Sequence, residues 1–418
     1  MADPPSTHSH HAAYRRLMPW HIVAVVMLQS TAFTLFALLP VIVRKRFDAG
    51  DWQTLLITAA PTVLFTLSIF WNDYFARRAF GRYMTTLWLV YSAPLLLMGF
   101  ADSYWLIAVP HLISSIGGAG YHPAAGTLLK RLYPIGLQGR IYSLVWGTSM
   151  VAGAAMGFGM GKWLEADADA YRWIMPLTAL FQLAGAFIFT RLAGIVGADD
   201  GRVKADTGGG LVRRVLEPIG HTTEVLRADP IFARYEAAYM TYGVGWMIAY
   251  ALLPMLVTDR LNLSYDQAAN STHVAYLAGM VLMLWPAGYL MDRIGAIRST
   301  GLSFAMLSVY PLGLLMAGDA SQLALVSFLY GVSHAGASVG WMLGPVSLAP
   351  SPEKVPQYVA IHATFVGLRG KVFQLLGVGL YVLTRGFTWP LVIAAAAFLW
   401  SAVMMWQLHR RRVGTGRA

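Results

Sequence analysis

Two cations stand in one apolar stretch, Arg369 and Lys371, within residues 356–384. An ionised side chain at the centre of a hydrocarbon layer costs at least about 2.5–3.5 kcal/mol, so such a residue is a functional candidate by default. At 100° per residue the two point about 200° apart, and a straight helix can turn only one of them toward a small ligand. Gly367 and Gly370 flank Arg369 and leave room for close approach. Its planar, five-donor guanidinium suits a carboxylate or a phosphate, so Arg369 is the expected anion contact. Lys371 is a second ligand-facing cation if the glycines bend the helix, and a helix-interface residue if they do not.

His362 precedes Arg369 by seven residues and shares its helical face. His334, Ser338 and Trp341 form a second face at spacings of four and seven, and His122 stands beside Pro123. Imidazole titrates near pH 6.5, which makes His122, His334 and His362 candidate proton carriers. Glu236, about one turn into the stretch 232–257, is the candidate acid, with a salt bridge to Arg234 as its simpler role. Tyr239, Tyr242, Gly243, Trp246 and Tyr250 follow it along one side. Aromatic bodies with polar tips can wall a site for amphipathic organic compounds or can serve as packing. Gln29, with Ser30, Thr31 and Thr34, supplies uncharged polar candidates for the same site.

The elements that must position these residues follow from composition. Of 418 residues, 57% are hydrophobic and 12% charged, and the mean hydropathy is +0.54. Soluble domains carry about 25% charged residues, so the ordinary soluble class is excluded. The absence of cysteine removes disulfides, thiolate metal sites and cysteine nucleophiles together. A membrane-crossing helix needs about 20 apolar residues, and twelve such stretches occur: 19–43, 53–71, 83–100, 104–129, 141–161 and 173–193, then 232–257, 268–291, 299–317, 320–348, 356–384 and 388–408.

The reading is therefore a tail over 1–18, a six-helix bundle over 19–193, a polar linker over 194–231, a second six-helix bundle over 232–408 and a tail over 409–418. Residues 2–11 are rich in Pro, Ser and His and are expected to be disordered. His8, His10 and His11 in such a tail fix no coordination geometry, so no metal site is expected there. Residues 211–227 have apolar positions at near-helical spacing and read either as a short surface helix or as a solvated tether.

The net charge of +11 has a membrane explanation. With both termini in the cytoplasm, 22 of the 31 Lys and Arg fall on that side, seven fall outside, and the remaining two are Arg369 and Lys371. That asymmetry fits the positive-inside rule, removes the need for a nucleic-acid partner, and places the chain in the cell (inner) membrane. Arg44-Lys45-Arg46 on the outer side is the exception.

The two halves resemble each other in the loops after the second and eighth stretches. The first reads Asn72-Asp73-Tyr74-Phe75-Ala76-Arg77-Arg78 and the second Gly288-Tyr289-Leu290-Met291-Asp292-Arg293-Ile294-Gly295-Ala296-Ile297-Arg298. The second loop resembles the signature loop of the major facilitator superfamily, in which a glycine, an aspartate, an arginine and a later basic residue recur. By that resemblance Asp292, Arg293 and Arg298 form a cytoplasmic latch, with Gly288 allowing close helix approach. Asp73 and Arg77 are the weaker first-half copy. Gly117-Gly118-Ala119-Gly120-Tyr121-His122-Pro123 with Lys130 and Arg131 resembles the fourth-span segment of the fosmidomycin-resistance efflux branch, which suggests export of a phosphonate-like or other organic anion. Gly153, Gly157 and Gly161 repeat every four residues, a spacing that lets backbones approach in lipid. The Gly-Pro pair of drug antiporters is missing from that stretch.

The resemblance implies an all-α polytopic membrane protein of twelve helices in two pseudo-symmetric six-helix bundles that rock about a midplane site. It implies a secondary transporter working as a monomer in the bilayer; Arg369 points to a small organic, anionic solute, the histidines to proton coupling, and the fosmidomycin-branch resemblance to efflux. No nucleotide-binding loop is present for direct ATP drive, and neither a cofactor, a metal nor an enzymatic activity is expected. An importer of an organic anion shares every feature above. A haem- or metal-binding membrane enzyme using His122, His334 and His362, and a transporter-like sensor, are the alternatives from other classes.

Overall fold

The computed structural model describes residues 7–133, 138–198, 222–351 and 354–414. Twelve long helical segments and a short helix at 222–228 occupy them: α1 (7–47), α2 (51–77), α3 (80–98), α4 (104–132), α5 (Gln138–Ala166), α6 (Tyr171–Ile195), α7 (Pro230–Arg260), α8 (Tyr265–Ile294), α9 (Ala296–Met316), α10 (Ala320–Leu348), α11 (Val355–Thr384) and α12 (Thr388–Gly414). Among the described residues nine helices are long and apolar enough to cross a membrane. The other three are α2, α3 and α4, where Asn72, Asp73 and Arg77, a break at 92–93, and the run of Ser, Gly and His over 111–122 dilute the hydropathy.

The first helix begins at Thr7, inside the segment expected to be disordered. Ala12, Ala13 and Arg15 are good helix formers, and a helix already nucleated downstream propagates easily through them. Residues 222–228 are helical, and the rest of the segment read as a surface helix, 211–221, lies outside the described residues, as do 1–6.

By contact the chain divides into two compact units, Met1–Ala49 with Leu67–Ala205, and Gly50–Thr66 with Asp206–Ala418. The units differ from the halves 19–193 and 232–408 in one respect: residues 50–66 pack with the second. The cause is local. A Cβ on Gly367 would meet Thr66, a Cβ on Gly370 would meet Thr62, and Gln374 Nε2 donates to Thr62 Oγ1 at 2.8 Å. At 65–67, just after Pro61, α2 tightens into a 3-10 turn and continues in the first unit.

In the first unit, Ser30 Oγ donates to the Ser149 carbonyl at 2.8 Å and Thr34 Oγ1 to the Gly153 carbonyl at 3.1 Å. Both pairs are 119 residues apart, so α1 and α5 run parallel in one register. Gly153, Gly157 and Gly161 are all buried. Ser30 and Thr34 are thus spent on helix packing rather than facing a ligand, and Thr31 Oγ1 returns to the Met27 carbonyl. The glycines of α4 are notches too, for a Cβ on Gly117 would meet Tyr91 and one on Gly120 would meet Leu87 and Trp71.

The basic cluster ending α1 has a counter-charge. Arg46 Nε donates to Asp169 Oδ1 at 2.9 Å, and Arg172 Nε lies 3.6 Å from the same oxygen. The Arg46 hydrogen bond holds the Asp169 carboxyl below its ordinary range. That preference for the ionised form exists above the carboxyl's unfolded value and is lost as pH falls through the folded one.

The second unit is built around α10. Tyr235, Tyr239 and Tyr242 of α7 bond in turn to the Gly340 carbonyl, the Ala337 carbonyl and His334 Nε2, each at 2.9 Å. Rising numbers on α7 meet falling numbers on α10, so the two are antiparallel. Four glycines of α10 receive neighbours. A Cβ at Gly331 would strike the Tyr276 carbonyl of α8, at Gly336 the Ser303 hydroxyl, at Gly340 the Thr300 hydroxyl and at Gly344 the Tyr235 hydroxyl. On its other side α7 runs parallel to α11: Tyr358 pairs with Asp229, His362 with Glu236, Arg369 with Tyr239 and Gln374 with Met247, at separations of 129, 126, 130 and 127 residues.

Gly288 does not have the role expected of it, because a Cβ there would meet nothing within 4 Å. Gly331→Ala is expected to destabilise the protein by about 1–3 kcal/mol, since backbone rather than a flexible side chain must move. Gly288→Ala is expected to be neutral or to stabilise by up to about 1 kcal/mol through helix propensity. Thermal unfolding of the two purified variants checks the contrast, and equal midpoints would refute it.

Candidate functional site

Arg369 is 3% exposed and sits inside the second unit. Gly243 is what admits it to α7, since a Cβ there would collide with Arg369 Cδ. The guanidinium donates Nη1 to the Tyr239 carbonyl at 3.1 Å, and its Cζ lies 5.4 Å from the Tyr242 ring centre and 5.3 Å from that of Trp246. It has no ion-pair partner among the described residues, and its Nε is buried without a hydrogen bond. A desolvated cation–π contact contributes about 2 kcal/mol, so two rings and one carbonyl are of the same order as the cost of placing the charge there. Of five N–H donors, one is used inside the protein.

Lys371 is exposed on the other side of α11, as 100° per residue requires, and takes no part in this cluster. The glycines beside Arg369 seat Thr62 and Thr66 of α2 rather than bending α11 enough to bring Lys371 round.

Glu236 is 2% exposed and pairs with His362, whose Nδ1 lies 2.8 and 3.0 Å from its two oxygens. The candidate acid is therefore a buried carboxylate of the second unit, paired with a histidine of α11. Arg234, the alternative partner, is exposed. His362 packs edge-on to Tyr239 at 4.7 Å and against Trp341 at 5.6 Å. Arg369 and His362 thus border the same tyrosine from the same helix.

His334 is wired at both nitrogens, Nε2 to the Tyr242 hydroxyl and Nδ1 to the Tyr276 hydroxyl, each at 2.9 Å, and it stacks on Tyr330 at 5.1 Å. Tyr239 and Tyr242 are buried and spent on α10, so they support the site from behind rather than facing a ligand. Trp246, Tyr250, Ser338 and Trp341 are partly exposed. Tyr276 was not anticipated. It follows a π-helical turn at Ala269–Val274, a rare local form that often marks functional sites.

Gln29 and His122 belong to the first unit. Gln29 lines a small cleft with Trp88, Tyr91 and Tyr121, and His122 is exposed beside Tyr121. In the loop after α8, Asp292 and Arg293 are exposed, with Arg293 4.6 Å over the Tyr289 ring. Gly295 makes the turn at φ +83°, where a side chain would be strained. Arg298 Nε donates to His409 Nε2 of α12 at 2.7 Å. Arg77 ends α2, and the side chain of Asp73 lies outside those described.

No family model matches the chain. It is 24% identical over 396 residues to the multidrug resistance protein MdtH of Yersinia pestis (strain Pestoides F), covering 90% of this chain and 92% of that one. Among solved structures it is similar to the peptide transporter POT in complex with sulfate, at TM-score 0.76, 12% identity and coverage of 95% and 94%. It is similar to the human organic anion transporter MFSD10, at 0.65, 16% and coverage of 96% and 100%. A bacterial homologue of the human lysosomal transporter Spinster, inward-facing and unoccupied, matches at 0.61, 15% and coverage of 96% and 94%.

The Glu236–His362 contact is open to a double-mutant cycle. Glu236→Gln, His362→Gln and the double variant are expected to show a coupling of about 1.5–3 kcal/mol, the range for a hydrogen bond to a charged group. Additive single effects on unfolding would mean that the pair contributes no interaction.

Proposed function

Given that the chain has the major facilitator fold, we propose that it is a secondary active transporter. It moves a small organic solute bearing an anionic group across the cytoplasmic membrane by alternating access, coupled to protons. Arg369 is the counter-charge for the solute, and the Glu236–His362 pair is the proton-carrying group. The observation that carries this reading is a buried guanidinium with one hydrogen bond and no carboxylate partner among the described residues. An anion entering beside it gains charge-assisted hydrogen bonds in a medium of low dielectric. Trp246, partly exposed 5.3 Å from the guanidinium, offers an apolar face to the organic body of the solute, with Tyr250 next to it at 6.5 Å.

Alternating access requires that solute and proton bind the two end states with different affinity. Arg369 and the Glu236–His362 pair sit on the same two helices, α7 and α11, so loading either one changes the charge felt by the other. Export is the favoured direction, in keeping with the multidrug resistance protein among the relatives. The distribution of Lys and Arg supports termini in the cytoplasm, where Asp292, Arg293 and Arg298 serve as the latch.

The test is ligand-induced thermal stabilisation of the detergent-purified protein by organic carboxylates, phosphonates and hydrophobic cations. An anion is expected to stabilise the wild type and to lose that effect with a folded Arg369→Ala variant. Stabilisation by cations alone, unchanged in Arg369→Ala, would overturn the reading and leave Arg369 a packing residue.

A further inference from the structure

The proposed anion site holds a second polar atom that the protein does not satisfy. His362 turns Nδ1 to both oxygens of Glu236, while Nε2 is buried and has no hydrogen-bond partner among the described residues. Buried polar groups are nearly always paired, so each exception calls for a reason. Carboxylate oxygens of an ionised glutamate only accept. A neutral ring facing an ionised Glu236 carries its hydrogen on Nδ1 and presents a lone pair at Nε2. Nε2 thus calls for a donor, and a cationic one fits best.

Arg369 supplies the opposite pole. Seven residues separate it from His362 along α11, an axial distance of about 10 Å at the Cα atoms. The long Arg369 side chain shortens this distance by leaning toward the helix N-terminus. Both groups rest on Tyr239, the guanidinium on its carbonyl and the imidazole on its ring. Glu236 and Arg369 are the only carboxylate and guanidinium among the described buried residues, so their formal charges cancel. A simple anion would answer Arg369 and leave the negative pole unmatched.

We infer that the site takes a two-poled ligand: a small organic acid whose anionic group meets Arg369 and whose ammonium or hydroxyl group, several bonds away, donates to His362 Nε2. This inference rests on the anion reading above and narrows the substrate class to zwitterions and hydroxy acids.

The experiment is calorimetric or thermal-shift titration of the full-length purified protein with matched probes: butyrate, hexanoate and octanoate, and their ω-amino, ω-hydroxy and ω-carboxy counterparts. At one chain length the ω-amino acid is expected to bind about tenfold or more tightly than the parent carboxylate. In His362→Gln that advantage is expected to vanish while the weaker carboxylate binding persists, which a merely structural histidine would not produce. Because the wild-type series is itself decisive, a poorly folded variant does not shield the proposal. Equal binding of amino acid and parent carboxylate, both dependent on Arg369, would overturn this inference and leave the anion reading standing. Preference for the diacid would overturn it by showing that Nε2 donates. Binding of none of the probes would overturn it together with the anion reading.

Discussion

A guanidinium inside an apolar helix bundle has to be held by something, and here it is held by ring faces. Arg369 lies over Tyr242 and Trp246 and reaches one carbonyl. Everything else in the second unit follows from making that arrangement possible. Gly243 must lack a side chain so that Arg369 can lie against α7, and Tyr242 must be fixed so that its face stays under the charge. His334 fixes Tyr242 and is itself fixed by Tyr276 and Tyr330. The rings stabilise the cation without neutralising it, so the net charge survives.

The supporting frame is a set of close backbone approaches to α10. A tyrosine hydroxyl that reaches the carbonyl of a neighbouring helix needs a notch, and Gly340 and Gly344 provide it for Tyr239 and Tyr235. In a hydrocarbon medium, packing of this kind takes the part that the hydrophobic effect plays in water. It explains why so many glycines occur in helices where their propensity is poor. It also explains why the tyrosine stripe of α7 serves as scaffold from Tyr235 to Tyr242.

What could be read from the sequence was whatever depends on local chemistry. A charge within an apolar stretch is a one-residue signal, so Arg369 and its opposition to Lys371 were legible from spacing alone. The helices themselves were legible for the same reason, since hydropathy accumulates over a window. The pairing of Glu236 with His362 was not, because 126 residues separate them and only the register of α7 on α11 brings them together. Gln29, Ser30, Thr31 and Thr34 looked alike as polar residues in one span, yet two of the four are consumed by α5. The glycines of α10 carried no distinguishing mark, because a glycine that seats a neighbour and one that seats nothing, such as Gly288, look the same until the neighbour is in place. The reassignment of residues 50–66 depended likewise on which glycines of α11 happen to face them.

The wide turn at Ala269–Val274 has a consequence for how this chain can vary. A π-helical turn accommodates one more residue than the α-helix around it. Removing a single residue there would restore regular winding while Tyr276 and the positions after it keep their faces, because the wide turn absorbs the extra residue. A deletion in the regular helix that follows has no such reserve and would swing what lies beyond it by about 100°. Taken between Tyr276 and Gly279, it would carry Gly279 away from the Phe328 carbonyl. A change of length along α8 is thus absorbed in the one segment Ala269–Val274.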